Sequence, residues 1–256
     1  MPIITLTTDW NKNDYYIGAV KGAIYSLCSN ATVIDITHQI KPFNIFQAAF
    51  ILKNCYTNYP KGTIHIIGVK SDQSENHNYM IVQSDEQFFI STDNGIFSLL
   101  FEEKPIQTYI IENLQPTTFP ELDVFVQAAC KIINGEPLES ISIKSNSQIR
   151  RVNLQATKEE SVIIGSIVYI DSYQNAITNI SHDLFKQVGN GRPFKIYIQS
   201  NRNVITRINK TYQETNPGEL LAIFNSINLL EIAISEGNAA ELLGLDTNST
   251  VRINFK

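Results

Sequence analysis

The chain has 256 residues, 43% of them hydrophobic, and a formal net charge of −5. That length supports a sizeable core in one large or two modest domains, and the acidic balance excludes a general binder of nucleic acid or membrane surfaces. No apolar run is long enough for a transmembrane helix, and the N-terminus predicts no signal peptide. Cys28, Cys55 and Cys130 are widely spaced with no CxxC pair, so they are expected to be buried free thiols in a reducing cytoplasm.

In chain order, the first half alternates strand and helix signals. Ile3–Thr7 predicts a strand, Tyr16–Leu27 a helix, Thr32–Ile36 a strand of β-branched residues and Ile45–Asn54 an apolar helix. The apolar run Thr63–Val69 predicts a buried strand, Tyr79–Gln83 with Gln87–Ser91 a hairpin, and Leu122–Asn134 a helix that stops at Gly135. This alternation predicts an α/β domain over residues 1–145, with a mostly parallel sheet flanked by helices. The polar stretch Lys144–Glu160 predicts a linker at about 146–159. Residues 160–256 then change character. Val162–Asp171, Phe194–Gln199, Asn203–Ile208, Glu219–Asn225 and Thr250–Phe255 are strand-like and separated by turn residues. They predict a smaller, barrel-like β-domain with little helix.

Several residues could carry chemistry. The first strand ends at Asp9, with Asp14 five residues on. An α/β sheet forms its ligand crevice at that end of its strands. Asp14 also suits a helix N-cap and Asp9 a solvated loop acid, but together they could bind two hydroxyls or an ammonium group. The glycines of a phosphate loop are missing, which favours a small polar ligand over a dinucleotide. His38 reads as a strand-end histidine bonded to backbone, and His65 as a satisfied core residue. No two histidines have metal-ligand spacing, so no metal is expected. In GSIVYIDSYQNAITNI an apolar strand runs into Asp171, Tyr173 and Asn175. An asparagine amide can read a purine edge and a tyrosine ring can stack on it, but a hairpin turn capped by Asp and Asn fits equally well. In the last motif, Asn225 and Ser226 close a strand. Gly237-Asn238-Ala239-Ala240 reads as a turn of small residues with exposed amides, able to approach a flat ring.

Five segments, TTDxxxxDxYxGAxKG, VIDITHxIxP, DNG, IDSxxNAxTNI and FNSxxxLEIAxxxGNAAxxLGL, occur in this order. Together they resemble the adenosine-forming S-adenosylmethionine (SAM) hydrolases, also called SAM hydroxide adenosyltransferases, relatives of the SAM-dependent fluorinase and chlorinase. The resemblance spans nearly the whole chain. It implies an α/β N-terminal domain, a β-barrel-like C-terminal domain and a homotrimer that binds SAM between subunits. It also implies roles. Asp9 would hold the ribose hydroxyls, Asp14 would lie near the amino-acid end and Phe43 beside the ribose. Asp171 and Ser226 would hold the methionine ammonium and carboxylate. Tyr173 would stack on adenine, Asn175 would bond its edge, and Asn238 and Ala239 would present backbone to it. The reaction would be an in-line displacement at ribose C5′ that needs no metal or redox cofactor.

The match breaks at the water-activating set. Where the family writes HVxVVDPGVGxxRR, this chain has HIIGVKSDQSENHN, with Lys70 at the Asp position and His77 at the Arg position. Where the family has TFHGRD, this chain has TFPELD, with Pro120 at the His position. His77 could serve as a base oriented by Asp72 or Glu75, and Lys70 could offer charge to an anion; a solvated polar loop is the plainer alternative. The Arg that follows the serine in some halogenating relatives is absent after Ser226, which argues against a halogenase. The implied activity is SAM hydrolysis to adenosine and L-methionine. The alternative is a SAM- or adenosine-binding protein that keeps the pocket without turnover.

Overall fold

A computed structural model describes the chain except residues 73–76, 103, 113–114 and 147, and the side chains of residues 201–202. Two compact units result, Met1–Asn153 and Leu154–Lys256.

The first unit contains β1 (Ile3–Thr8), α1 (Tyr15–Leu27), β2 (Thr32–Thr37), α2 (Ile45–Lys53), β3 (Ile64–Gly68), β4 (Tyr79–Ser84), β5 (Gln87–Thr92), α3 (Ile96–Phe101), β6 (Gln107–Ile111), α4 (Val126–Ile133) and β7 (Ser142–Ser145). Its seven strands lie in the order β2-β1-β3-β5-β4-β6-β7. β2, β1, β3 and β5 are mutually parallel, and β4, β6 and β7 extend the sheet antiparallel. The antiparallel extension begins at the β4–β5 hairpin. Its two turn residues, Asp85 and Glu86, both have positive φ (50° and 58°), the twist that matches a tight hairpin. Ile66 joins the core under α1 and α4, with Val20, Ile24 and Val126. Its neighbour Ile67 joins the core under α2 and α3, with Leu52, Ile96 and Phe97. Alternate side chains of one strand therefore enter two cores, so both faces of the sheet are covered.

Three departures from the sequence reading have simple causes. Helix α3 (IFSLLF) is buried on every side, so it shows no polar face and no helical period. The segment expected to be a helix from Leu122 starts with a π-helical turn, Glu121–Phe125, before α4. Part of the expected polar linker is fastened to the first unit. The Ile149 N–H donates to both Asp93 carboxylate oxygens at 3.1 and 2.9 Å, and the Arg151 N–H donates to Ser98 Oγ at 2.7 Å.

The second unit contains β8 (Thr157–Lys158), β9 (Val162–Ile170), β10 (Ala176–Ser181), α5 (His182–Gly189), β11 (Phe194–Ile198), β12 (Ser200–Ile205), β13 (Leu220–Phe224), β14 (Leu229–Ile234), α6 (Ala239–Leu243) and β15 (Thr250–Phe255). The strands form one antiparallel sheet in the order β12-β11-β15-β9-β10-β14-β13, with β8 beside β9. Asn209, just past β12, bridges Ile223 of β13, so the two ends of the path meet in a nearly closed barrel. Helix α5 is an addition to the expected β-domain. Ser181 caps it by accepting from the Leu184 N–H at 3.1 Å, and left-handed Asn190 (φ 44°) ends it. The Gly-Asn-Gly segment is thus a helix stop as well as a turn. Among the described residues no helix is long and apolar enough to cross a membrane.

His65 is a core histidine with both ring nitrogens satisfied, as its position in an apolar strand suggests. Nδ1 lies 2.7 Å from Thr5 Oγ1 and Nε2 lies 2.7 Å from Gln87 Oε1. The Gln87 amide donates to the Tyr56 and Tyr59 carbonyls, so its oxygen faces the ring. Nε2 therefore carries the proton, and Nδ1 accepts from Thr5. Burial pushes the His65 pKa down to about 4. A histidine held neutral in this way stabilises the fold fully above its unfolded pKa of about 6.5 and loses that contribution as pH falls toward about 4, for a total on the order of 3 kcal/mol. In denaturant titrations, the stability advantage of the wild type over His65→Gln should shrink between about pH 7 and pH 4.5. An advantage constant with pH would exclude this role.

Candidate functional site

In the first unit, polar residues gather where β1 and β3 end. The Asp9 N–H donates to the Gly68 carbonyl at 3.3 Å, which holds the two strand ends side by side. Asp9 Oδ2 accepts the Phe43 N–H at 2.8 Å, and the carboxylate also takes the backbone N–H of Lys70. Burial outweighs both bonds and raises the Asp9 pKa. Phe43 (φ 65°) and Lys70 (φ 51°) are both left-handed, a conformation that costs a side-chain-bearing residue about 1–2 kcal/mol. Asn94, in the DNG segment, donates its amide to the carbonyls of Val69 and Lys70, both at 3.0 Å. Two side chains, Asp9 and Asn94, thus hold the Lys70 backbone from both sides. The Phe43 ring is 65% exposed. Asp14 is exposed at the N-cap position of α1 but makes no side-chain capping bond. His38 is buried, with Nδ1 2.8 Å from Thr8 Oγ1 and Nε2 3.2 Å from Asp35 Oδ1, and its ring stacks over Trp10. Its partners are side chains, not the backbone that its strand-end position suggested.

The loop that departs from the family pattern follows β3. The Lys70 side chain is exposed and Asp72 is exposed. Glu75 lies outside the described residues. His77 is half-buried, and the group it acts on electrostatically is Asp93.

Sequence reasoning gave no role to Glu121. Its side chain is only 4% exposed and lies over the Cα of Gly68, where an added Cβ would meet Glu121 Cγ and Oε1 at 2.8 Å. The missing side chain at position 68 makes the room that Glu121 fills. Burial, with smaller repulsion from Asp9 and Asp72, pushes the Glu121 pKa up to about 7, while the Ser71 hydroxyl pulls the other way. In sequence, Glu121 looks like an ordinary acid in a first helical turn; its burial depends on a strand more than fifty residues away in the chain.

In the second unit, two adjoining concavities of ≈ 520 and ≈ 550 Å³ share Asp171 and Tyr212. Tyr173, Asn175 and Asn238 line the first, and Asn225, Ser226 and Glu231 the second. Asp171 organises the turn between β9 and β10. Its Oδ1 accepts the N–H groups of Tyr173 (2.9 Å) and Asn175 (2.8 Å), and its Oδ2 accepts the Asn175 amide at 3.2 Å. The turn-capping geometry is therefore real, and it coexists with a cavity. Asn175 is buried with its Nδ2 committed to Asp171. The Tyr173 ring, by contrast, is 76% exposed. Tyr212 and Glu231 have no precedent in the sequence reading beyond the motif letters around Glu231. The Tyr212 hydroxyl donates to Glu231 Oε1 at 2.6 Å and the Asn225 amide donates to Oε2 at 3.1 Å. Burial and this carboxylate drive the Tyr212 pKa upward.

The small-residue turn is corrected in one respect. Ala239 and Ala240 are buried and begin α6, and the Ala240 N–H donates to the Gln174 carbonyl at 2.8 Å. The amide at 240 braces the Asp171 turn and is not free for a ligand. Asn238, not Ala239, lines the cavity. Among the described residues no group of three or more His, Cys, Asp or Glu side chains is arranged to hold a metal ion.

Residues 4–142 match the family model for the SAM hydroxide adenosyltransferase N-terminal domain, and residues 165–252 match that for its C-terminal domain. The (R)-S-adenosyl-L-methionine hydrolase of Methanocaldococcus jannaschii is 28% identical, over 100% of this chain and 97% of that protein. A fluorinase of Actinopolyspora mzabensis is 21% identical, over 98% of this chain and 97% of that protein. The crystal structure of an uncharacterized conserved protein from Thermotoga maritima superposes with a TM-score of 0.87 at 25% identity, covering 99% of this chain and 100% of that one. With both domain models matched in order, the chain belongs to the SAM hydroxide adenosyltransferase family.

Proposed function

We propose that the protein is a SAM hydrolase, releasing adenosine and L-methionine by attack of water at ribose C5′. The observation that carries this reading is the cavity of the second unit, whose walls include Asp171, Tyr173, Asn175 and Asn238, with Ser226 in the adjoining one. Tyr173 offers an exposed ring face for adenine. Asn175 gives its donor to Asp171, which leaves its Oδ1 as an acceptor for the exocyclic amine of the purine. Asp171 and Ser226 hold the methionine end, and Asn238, followed by Ala239, presents backbone to the purine. On the first unit, Asp9 accepts from the ribose hydroxyls, Phe43 packs beside the sugar and Asp14 lies toward the amino-acid end. The M. jannaschii relative, aligned over the full chain, is named for this hydrolysis.

The sulfonium sulfur leaves as a neutral thioether and needs no protonation. The protein's task is to orient a desolvated water in line with the C5′–S bond. No cofactor enters this reading. The candidate ligand residues lie on both units, and the resemblance implies that these halves join across subunits, so in this reading the protein is a homotrimer.

Incubation of pure protein with millimolar SAM should yield adenosine and methionine in equal amounts by chromatography. SAM binding without either product would leave the binding-protein alternative in its place. Tyr173→Ala removes only a solvent-facing ring, so it should leave the fold intact and weaken adenosine binding by about 1–3 kcal/mol, roughly 5–150-fold. Calorimetry showing an unchanged affinity would remove Tyr173 from the site. Light scattering should give three times the chain mass; a stable monomer at micromolar concentration would contradict the assembly.

A further inference from the structure

Attack by water at C5′ releases a proton, and a group near the sugar must take it. The first unit narrows the choice. Asp9 already accepts the Phe43 N–H and is assigned to the ribose. His38 has Nδ1 engaged by Thr8 and Nε2 facing Asp35. His65 is sealed between Thr5 and Gln87, and His77 acts electrostatically on Asp93. The Lys70 ammonium is a donor, and Pro120 has no polar side chain.

We propose that Glu121 is the general base of this reaction, accepting the proton of the attacking water from its seat over Gly68 beside Asp9. The inference rests on the hydrolase reading above. Three features of position support it. The carboxylate occupies space that exists only because residue 68 has no side chain, at the strand end whose carbonyl holds Asp9. The Ser71 hydroxyl, 8% exposed, is directed at the Glu121 carboxylate, yet has no well-formed hydrogen bond among the described residues. The charged groups acting on Glu121 are Asp9, at the end of β1, and Asp72, after β3; α1 and α4, packed on the same turn, contribute the apolar Val20, Ile24 and Val126.

The environment also suits the task. Two carboxylates share the crevice under different constraints. Burial raises the Asp9 pKa against the pull of its backbone N–H donors, and it pushes that of Glu121 up to about 7, the condition for an efficient base at physiological pH. In the step, the water oxygen forms a bond to C5′ as the C5′–S bond breaks. The bonding pair stays on sulfur, giving neutral methionine thioether. One water proton passes to Glu121, which returns it to solvent. The sulfonium's positive charge and the carboxylate's negative charge are both cancelled.

The test is adenosine release by the wild type, Glu121→Gln and Glu121→Asp over about pH 5.5 to 8.5, with adenosine binding measured by calorimetry. Wild-type kcat should rise with pH through a midpoint near 7. Glu121→Gln should lower kcat by about 10²–10⁴-fold, abolish that rise and leave the adenosine dissociation constant unchanged, while Glu121→Asp should recover part of the rate. A Glu121→Gln protein with wild-type kcat and pH profile would overturn the assignment, as would a wild-type kcat flat across the range. If the wild type binds SAM but releases no adenosine, the hydrolase reading fails and takes this inference with it. That result is distinguishable from a loss confined to the variants.

Discussion

The hydrogen bond from the Phe43 N–H to Asp9 Oδ2 is the contact on which the geometry of the first unit's crevice depends. β1 delivers Asp9 to the end of the parallel part of the sheet, and the carboxylate there gathers backbone from two other segments. Phe43 and Lys70 both sit in the left-handed region, at a cost of about 1–2 kcal/mol each. A hydrogen bond to a charged acceptor contributes about 1.5–3 kcal/mol, enough to offset that strain. The Asn94 amide holds the Lys70 carbonyl from the other side. Strained loop residues of this kind persist where their surroundings over-determine them.

The second unit uses the same device on a barrel. Asp171 closes the β9–β10 turn on itself with three accepted hydrogen bonds, and α6 locks the outside of that turn through the Ala240 N–H. A rigid turn fixes the direction of the Tyr173 ring and the Asn175 carbonyl without spending contacts with a ligand to do so. Glu231, 3% exposed, has both carboxylate oxygens satisfied, because Tyr212 and Asn225 each donate to one of them. An unpaired buried carboxylate would be costly, so the three residues behave as one polar wall.

The elements most legible in the sequence were those whose pattern is local. Thr63–Val69 announced a buried strand by continuous apolarity, and Tyr79–Gln83 with Gln87–Ser91 announced a hairpin. Helix α3 and the π-helical turn at Glu121 were not legible. A short helix buried on all sides has no amphipathic period, and a π-turn differs from an α-turn by packing, not composition. The ordered path of residues 149–153 was hidden for a related reason. Its polar composition matched a linker, while its hydrogen bonds go to Asp93 and Ser98, more than fifty positions earlier.

The site divides along the same line. Asp9, Asp171, Tyr173, Asn175 and Ser226 could be named as candidates from the sequence, because each lies in or beside a turn whose chemistry is written within a few residues, while their ligand roles came from the family resemblance. By itself the sequence determined these residue types, their order and the two-part character of the chain. Only tertiary structure decided that Ala240 braces a turn, that Tyr212 meets Glu231, and that Glu121 lies buried over Gly68. Each of these depends on residues distant in the chain arriving at one place. A carboxylate's protonation follows from the water excluded around it, and the sequence at Glu121 says nothing about the glycine beneath it.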